Sequence, residues 1–240
     1  MTSYLAFRIM KRFKINPKKT VIRVSKYASS ITGTTANLKE GDVLTIYNLI
    51  HGVMLLSGND DATSIAEYFA GIIKEDREKQ AINSKNPKLA RQNELGEWEF
   101  NPLIYGSSGV DNKKGNKARN LVKLFVEEMN KTAKMLGMQN TSFANPHGMW
   151  ILGNSSTISD IGIISSQAMK INLVKNIVKK KKYTWQGEDI KGQIRYHKWT
   201  NTNKMLGKDP NYNGLKTGTT RTAGACLVNN FTLVNYIRLS

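Results

Sequence analysis

The segment Asn213-Gly214-Leu215-Lys216-Thr217-Gly218-Thr219 is the most informative part of this 240-residue sequence. Its centre, Lys-Thr-Gly, is a weak signal by itself, because a strand that turns at glycine has the same composition. A second segment, Leu56-Ser57-Gly58-Asn59-Asp60, makes the signal stronger. Together the two segments supply an ammonium group, a hydroxyl and an amide, which are kinds of polar group that acyl-transfer sites combine.

The two triplets match two of the three sequence motifs that occur together in a known class of enzymes. Serine penicillin-binding enzymes and class A β-lactamases combine Ser-x-x-Lys, Ser-x-Asn and Lys-Thr-Gly. Ser57-Gly58-Asn59 and Lys216-Thr217-Gly218 supply the second and third parts in that order. The first part is missing, because no serine in the sequence has a lysine three positions later.

Several longer segments carry a resemblance that extends well beyond the triplets. The clearest are Leu38-Lys39-Glu40-Gly41-Asp42-Val43-Leu44-Thr45, Leu136-Gly137-Met138-Gln139-Asn140-Thr141, Asn145-Pro146-His147-Gly148-Met149 and Asn201-Thr202-Asn203-Lys204. Over most of residues 1–73 and 120–228, the chain resembles the D-alanyl-D-alanine carboxypeptidase family of low-molecular-mass penicillin-binding proteins. The resemblance implies a serine-type hydrolase, a peptidase that acts on peptidoglycan stem peptides ending in D-Ala-D-Ala.

The resemblance implies catalytic roles for three residues. Ser57 would relay a proton toward the leaving amine, Asn59 would hydrogen-bond the substrate amide, and Lys216 would supply a positive charge beside the reacting groups. Structural roles are the alternatives: Ser57 could cap the helix predicted from Asp60, Asn59 could hold a turn, and Lys216 could be a solvated strand lysine.

The same resemblance implies substrate-binding roles for the three residues that follow Lys216. Thr217 would bind the carboxylate end of the substrate, and Gly218 would let the substrate backbone approach. The backbone N–H of Thr219 would form half of the oxyanion hole.

The resemblance also predicts where the missing parts would lie. The nucleophilic serine would fall about five residues before Met1, given the usual continuation of its motif. The expectation is a chain that begins inside the catalytic helix and stops before the last strands of the sheet. Such a truncated chain would bind a peptide end without hydrolysing it, and would react with β-lactams only if the serine were restored. The alternative is a non-catalytic peptide-binding pseudoenzyme or scaffold.

The predicted fold class is α+β, like that of β-lactamases and penicillin-binding proteins, with an antiparallel sheet flanked by helices plus a helical subdomain. We predict a single domain over residues 1–240. The helical subdomain covers about 20–170 and includes a polar insertion at about 74–119. The sheet-forming part covers about 183–240, where short alternating segments predict antiparallel strands.

Helix signals place the Ser57 turn between two helices. Thr45 is the predicted N-cap of a helix over 46–54, and a second helix is predicted over 60–70. A turn held between two helices can aim its side chains into a cleft while its backbone stays fixed.

The net charge of +18, from 36 basic and 18 acidic residues, favours polyanionic partners such as nucleic acid, an anionic membrane surface or an acidic wall polymer. No nucleic-acid-binding motif is present, so nucleic acid is not an expected partner.

The sequence has a single cysteine, Cys226, so an intrachain disulfide is excluded. Cys226 is predicted to be a small buried strand residue.

No metal or cofactor is expected, because His51, His147 and His197 lie in no metal-ligand spacing. The first residues do not form a signal peptide. No apolar run reaches the roughly 20 residues that a membrane-spanning helix needs. Members of the family that the chain resembles act outside the cytoplasmic membrane, and the compartment of this chain is left open.

Overall fold

The computed structural model describes residues 1–84, 90–92, 98–100, 114–189 and 191–232. The helices are α1 (Thr2–Arg12), α2 (Lys26–Ser29), α3 (Ile46–His51), α4 (Asn59–Ser84), α5 (Lys114–Met135), α6 (Ile158–Met169) and α7 (Asn172–Val178), and a π-helical turn (Gly52–Leu56) follows α3. The strands are β1 (Val21–Arg23), β2 (Val43–Thr45), β3 (Ala90–Gln92), β4 (Trp98–Phe100), β5 (Lys182–Glu188), β6 (Ile194–Thr200), β7 (Tyr212–Thr220) and β8 (Gly224–Phe231). The predicted α+β class is confirmed.

The helices form a layer around α4. Phe69 of α4 and Phe125 of α5 are completely buried where these two helices pack together. Helix α1 packs against the same layer with Leu5 and Ile9, which recur at helical spacing. The first two turns of α4, residues 59–66, are buried in this layer as well.

The predicted start of α3 is confirmed. The Thr45 side chain accepts a hydrogen bond from the backbone N–H of Asn48 at 3.1 Å. This bond satisfies a backbone donor that has no partner within the helix.

The main sheet is antiparallel, in the order β1-β2-β5-β6. Strands β5 and β6 pair along their whole length, and Val43 of β2 lies opposite Glu188 of β5. Trp185 and Trp199 are buried on one face of the sheet. Sequence analysis did not predict β1 and β2, which have three residues each and lie inside the segment interpreted as helical.

Strands β7 and β8 form a separate two-stranded antiparallel ribbon. Its first half is buried from Tyr212 to Leu215, whereas Gly218 and Thr219 are exposed. The prediction that Cys226 is buried was wrong. Cys226 is exposed because the ribbon extends outward there, and its neighbours on β8 are exposed as well.

The predicted insertion at 74–119 is partly helical. Helix α4 continues to Ser84, and ion pairs of Asp76 with Arg12 and of Arg77 with Glu128 fix this extension to α1 and α5. Strands β3 and β4 pair antiparallel beyond it. The rest of the predicted insertion, 85–89, 93–97 and 101–113, and the end of the predicted sheet-forming part, 233–240, lie outside the described residues.

Candidate functional site

One wall of the site is the turn that joins α3 to α4. The helix widens into the π-helical turn Gly52–Leu56 and ends at Ser57, which has left-handed backbone angles with φ of 67°. The carbonyl oxygen of Gly52 accepts a hydrogen bond from the Gly58 N–H at 3.2 Å. π-Helical turns and left-handed non-glycine residues both cost stability and concentrate at functional sites. The geometry therefore marks Ser57 as a residue held in place by its surroundings.

Asn59 and Asp60 hold a neighbouring loop against the turn. The backbone N–H of Asn59 donates to the Thr34 carbonyl, and its side-chain N–H donates to the Thr32 carbonyl, both at 2.8 Å. The Asp60 carboxylate accepts from two backbone N–H groups of loop 36–38 at 2.9 and 3.0 Å. A carboxylate in the first turn of a helix is also favoured by the helix dipole.

Asp61 lies directly behind the turn and is completely buried. Among the described residues, neither carboxyl oxygen has a hydrogen-bond partner. A Cβ atom added to Gly52 would lie 2.2 Å from this carboxyl group, and one added to Gly58 would lie 2.1 Å from it. Burial, and secondarily the charge of Asp60, raises the pKa of Asp61 well above its usual value. The two glycines therefore leave just enough room for this carboxyl group, and burial favours its protonated form.

The opposite wall is strand β7, whose bulge aims Lys216 across the cleft. The bulge includes Gly214, with φ of 75°, where an added Cβ would lie 3.0 Å from the carbonyl oxygen of Val178. The Lys216 Nζ donates to the Ser57 Oγ, and it donates to the Thr217 carbonyl at 2.6 Å. Burial lowers the pKa of Lys216 to about 8.

Thr202 links the two walls, a role that sequence analysis missed. Its hydroxyl is hydrogen-bonded to the Thr217 hydroxyl and lies 3.1 Å from the Leu55 carbonyl, which also accepts from the Thr202 N–H at 3.0 Å. In the sequence, Thr202 stands out only as part of Asn201-Thr202-Asn203-Lys204, one of the segments that carry the family resemblance. Composition and periodicity gave no signal that Thr202 contacts Thr217, because the two are joined by an irregular connection.

One cavity of about 700 Å³ lies between the two walls, and all six predicted site residues line it: Ser57, Asn59, Lys216, Thr217, Gly218 and Thr219. His147 and Met149 line it from a third side, and Arg221 lies at its edge beyond β7. A second cavity of about 630 Å³, beside β1, β2 and β5, is lined by none of these residues. The structure therefore brings the predicted site residues together, and their individual roles remain predictions.

The described part of the chain contains no group of three or more histidine, cysteine, aspartate or glutamate side chains placed to hold a metal ion. Within the same residues, no helix is long and apolar enough to cross a membrane.

A serine turn that faces a Lys-Thr-Gly strand in an α+β domain defines the class of penicillin-binding, β-lactamase-like folds. The crystal structure of the Streptomyces K15 DD-transpeptidase is similar, with a TM-score of 0.70 and 26% identity over 97% of this chain and 74% of that chain. The family model for D-alanyl-D-alanine carboxypeptidase, peptidase family S11, matches residues 1–94 and 119–239. The chain belongs to this family, which confirms the resemblance seen in the sequence.

Curated relatives agree with the family assignment. D-alanyl-D-alanine carboxypeptidase DacF of Bacillus subtilis is 27% identical over 95% of this chain and 44% of its own length. A D-alanyl-D-alanine carboxypeptidase of Streptomyces strain K15 is 30% identical over 85% of this chain and 56% of its own length. The chain thus spans about half the length of these two relatives.

Proposed function

We propose that the cavity binds the carboxyl end of a peptide that terminates in D-Ala-D-Ala, the substrate class of a serine-type peptidoglycan carboxypeptidase. The observation that carries the proposal is the pair of contacts that the Lys216 ammonium makes with the Ser57 hydroxyl and with the Thr217 backbone carbonyl, beside the cavity. An ammonium group beside a hydroxyl is suited to a terminal carboxylate, because hydrogen bonds to charged groups are the strong ones.

The proposed roles divide between the two walls. Lys216, with its pKa lowered to about 8, still carries its charge at neutral pH and orients the Ser57 hydroxyl. Thr217 and the backbone around Gly218 and Thr219 receive the carboxylate and carbonyl of the peptide. Asn59 holds the peptide amide from the opposite side.

For these 240 residues alone, the proposal is binding without hydrolysis. The family reaction needs a serine nucleophile activated by a nearby base, and no serine of this sequence has a lysine three positions later. The described cleft would supply peptide recognition and proton transfer, whereas acyl-enzyme formation is proposed only where a Ser-x-x-Lys segment accompanies it.

Calorimetric titration with an acylated tripeptide ending in D-Ala-D-Ala tests the proposal. Lys216→Ala should weaken binding by about tenfold or more, because a hydrogen bond to a charged group contributes about 1.5–3 kcal/mol. Lys198→Ala is the matched control, since Lys198 is exposed on β6, and it should leave the affinity unchanged. Equal binding of an L-Ala-L-Ala peptide, or no binding at all, would refute the proposal.

A second measurement separates binding from catalysis. We expect neither covalent labelling by fluorescent penicillin nor release of D-alanine from the tripeptide. A penicillin adduct located by mass spectrometry on Ser57, or on any other serine of the chain, would show that the inactivity part of the proposal is wrong. Peptide binding could still stand in that case.

A further inference from the structure

A loop beside the cavity presents an unusual apolar surface. The side chains of Met149, Trp150, Ile151 and Leu152 are 37%, 69%, 48% and 89% exposed. This is the longest run of exposed large apolar residues in the part of the chain that the structure describes. Single exposed apolar residues are common, whereas a continuous exposed patch usually marks a contact surface.

Two asparagines hold this loop in one shape. The side-chain N–H groups of Asn145 and Asn154 both donate to the Met149 carbonyl at 2.8 Å. The Asn154 side-chain oxygen accepts from the Ala144 N–H at 2.6 Å, and that of Asn145 accepts from the Gly148 N–H at 2.7 Å. The apolar tip is therefore presented by an ordered loop, which lowers the entropy cost of using it for binding.

We propose that the tip formed by residues 150–152 inserts into the interfacial region of an anionic lipid bilayer. Three side chains are too few for a stable protein interface, which buries about 800 Å² on each partner. They are sufficient for a shallow bilayer contact, where tryptophan is favoured because its ring is apolar and its N–H is polar. The net charge of +18 adds attraction to acidic headgroups.

The geometry links this contact to the cavity without depending on the proposed peptide ligand. Met149 and Gly33 both line the cavity and lie close together, since a Cβ added to Gly33 would lie 2.9 Å from the Met149 sulfur. The next three side chains are exposed on the outside of the loop. Arg221, which is exposed at the edge of the same cavity, adds positive charge there. Insertion of the tip would thus place the cavity entrance next to the lipid surface.

Co-sedimentation with phosphatidylcholine vesicles, with and without phosphatidylglycerol, tests the proposal on the full chain. We expect binding to the vesicles that contain phosphatidylglycerol, and a loss of at least about tenfold in the double variant Trp150→Ser/Leu152→Ser, given the apolar area removed. Ile158→Ser is the matched control, because Ile158 is 93% exposed outside the loop. It should bind within about twofold of the unmodified protein, since a single exposed side chain away from the tip removes no part of the contact.

Tryptophan quenching by brominated lipids gives a second readout, which reports which tryptophan enters the bilayer. Trp150 should be quenched, whereas Trp185 and Trp199 are buried in the sheet and should not be. Trp150→Phe should keep vesicle binding and lose most of the quenching.

The proposal is overturned if the unmodified protein fails to bind the acidic vesicles, or if the double variant binds them equally well. Equal quenching in Trp150→Phe would also overturn it. A change in oligomeric state of the double variant without any lipid binding would assign the tip to a protein contact instead.

Discussion

The two walls of the cavity are built in opposite ways. Asn59, Asp60 and Asp61 on the turn wall are all buried, and the first two are fixed by backbone groups of a neighbouring loop. On the ribbon wall, Gly218 and Thr219 are exposed. One wall is therefore positioned by the apolar core, whereas the other is positioned by a few contacts near the bulge.

This difference predicts where substitutions act. The turn wall contains a left-handed Ser57 and a buried Asp61 without a partner among the described residues, features that each cost stability. Changes there should alter the free energy of unfolding. Changes on the ribbon wall should mainly alter peptide binding.

The largest expected effect is that of Gly52→Ala. The added methyl group would lie 2.2 Å from the Asp61 carboxyl, which is completely buried. The free energy of unfolding should fall by about 2 kcal/mol, because overpacking outweighs the better helix propensity of alanine. Urea denaturation measures the change.

Removing the carboxyl group should relieve this clash. In the double variant Gly52→Ala/Asp61→Ala, the loss should be smaller than the sum of the two single losses. Strict additivity, or a Gly52→Ala protein as stable as the unmodified one, would show that the Asp61 carboxyl is not confined as the structure indicates.

The second prediction concerns the pH dependence of stability. Asp61 in the unfolded chain loses its proton near pH 3.9, whereas burial raises its pKa in the folded state. Between these two pKa values the folded protein binds more protons, so this contribution to stability falls as the pH rises. Asp61→Asn lacks this contribution. Its unfolding free energy should therefore rise relative to that of the unmodified protein as the pH is raised from 4 to 7.

The measurement is the difference in unfolding free energy between the two proteins across that range. Burial lowers the pKa of His51 to about 4, so His51 contributes the opposite pH dependence, lost as the pH falls below its unfolded value. Because His51 is present in both proteins, its contribution cancels in the difference. A constant difference would contradict a raised pKa of Asp61 in the folded protein.

The residues that line the cleft could be located from the sequence more completely than the elements that support them. Ser57, Lys216 and the helix cap at Thr45 could be read from local motifs, because each depends on a short segment. Strand β1 and the linking role of Thr202 could not, because they depend on partners distant in sequence. Asp61 was missed for a similar reason: its burial depends on how tightly the two glycines pack against it.

The third prediction sharpens the role of Lys216. Its pKa of about 8 means that the charged fraction falls about tenfold between pH 7 and pH 9, while a peptide carboxylate stays ionised. Binding of the D-Ala-D-Ala peptide should weaken by about the same factor over this range. Calorimetry of Lys216→Ala should give a low affinity that does not change with pH. A flat profile in the unmodified protein would exclude an ionic role for this lysine.

The fourth prediction tests the link between the walls. Thr202→Val keeps the shape of the side chain but removes the hydroxyl that contacts Thr217 and Leu55. The expected loss is about 1 kcal/mol of unfolding free energy, with peptide binding weakened about threefold because Thr217 loses its orientation. Thr200→Val, at an exposed position on β6, serves as the control. If both variants behave alike in denaturation and titration, Thr202 is not the link.

The smallest expected effect on stability is that of Gly218→Ala, the counterpart of Gly52→Ala on the exposed wall. An added Cβ would have no atom within 4 Å, so the unfolding free energy should change by no more than about 0.5 kcal/mol. The change should be a small increase, because alanine restricts the unfolded chain more than glycine does.

Peptide affinity should nevertheless fall several-fold, because Gly218 lines the cavity and the methyl group would occupy space that the ligand backbone needs. Gly71→Ala, in α4 and equally free of contacts, should leave the affinity unchanged. Unchanged affinity in both variants would mean that the peptide does not approach Gly218. The functional role of the ribbon wall would then be confined to Lys216 and Thr217.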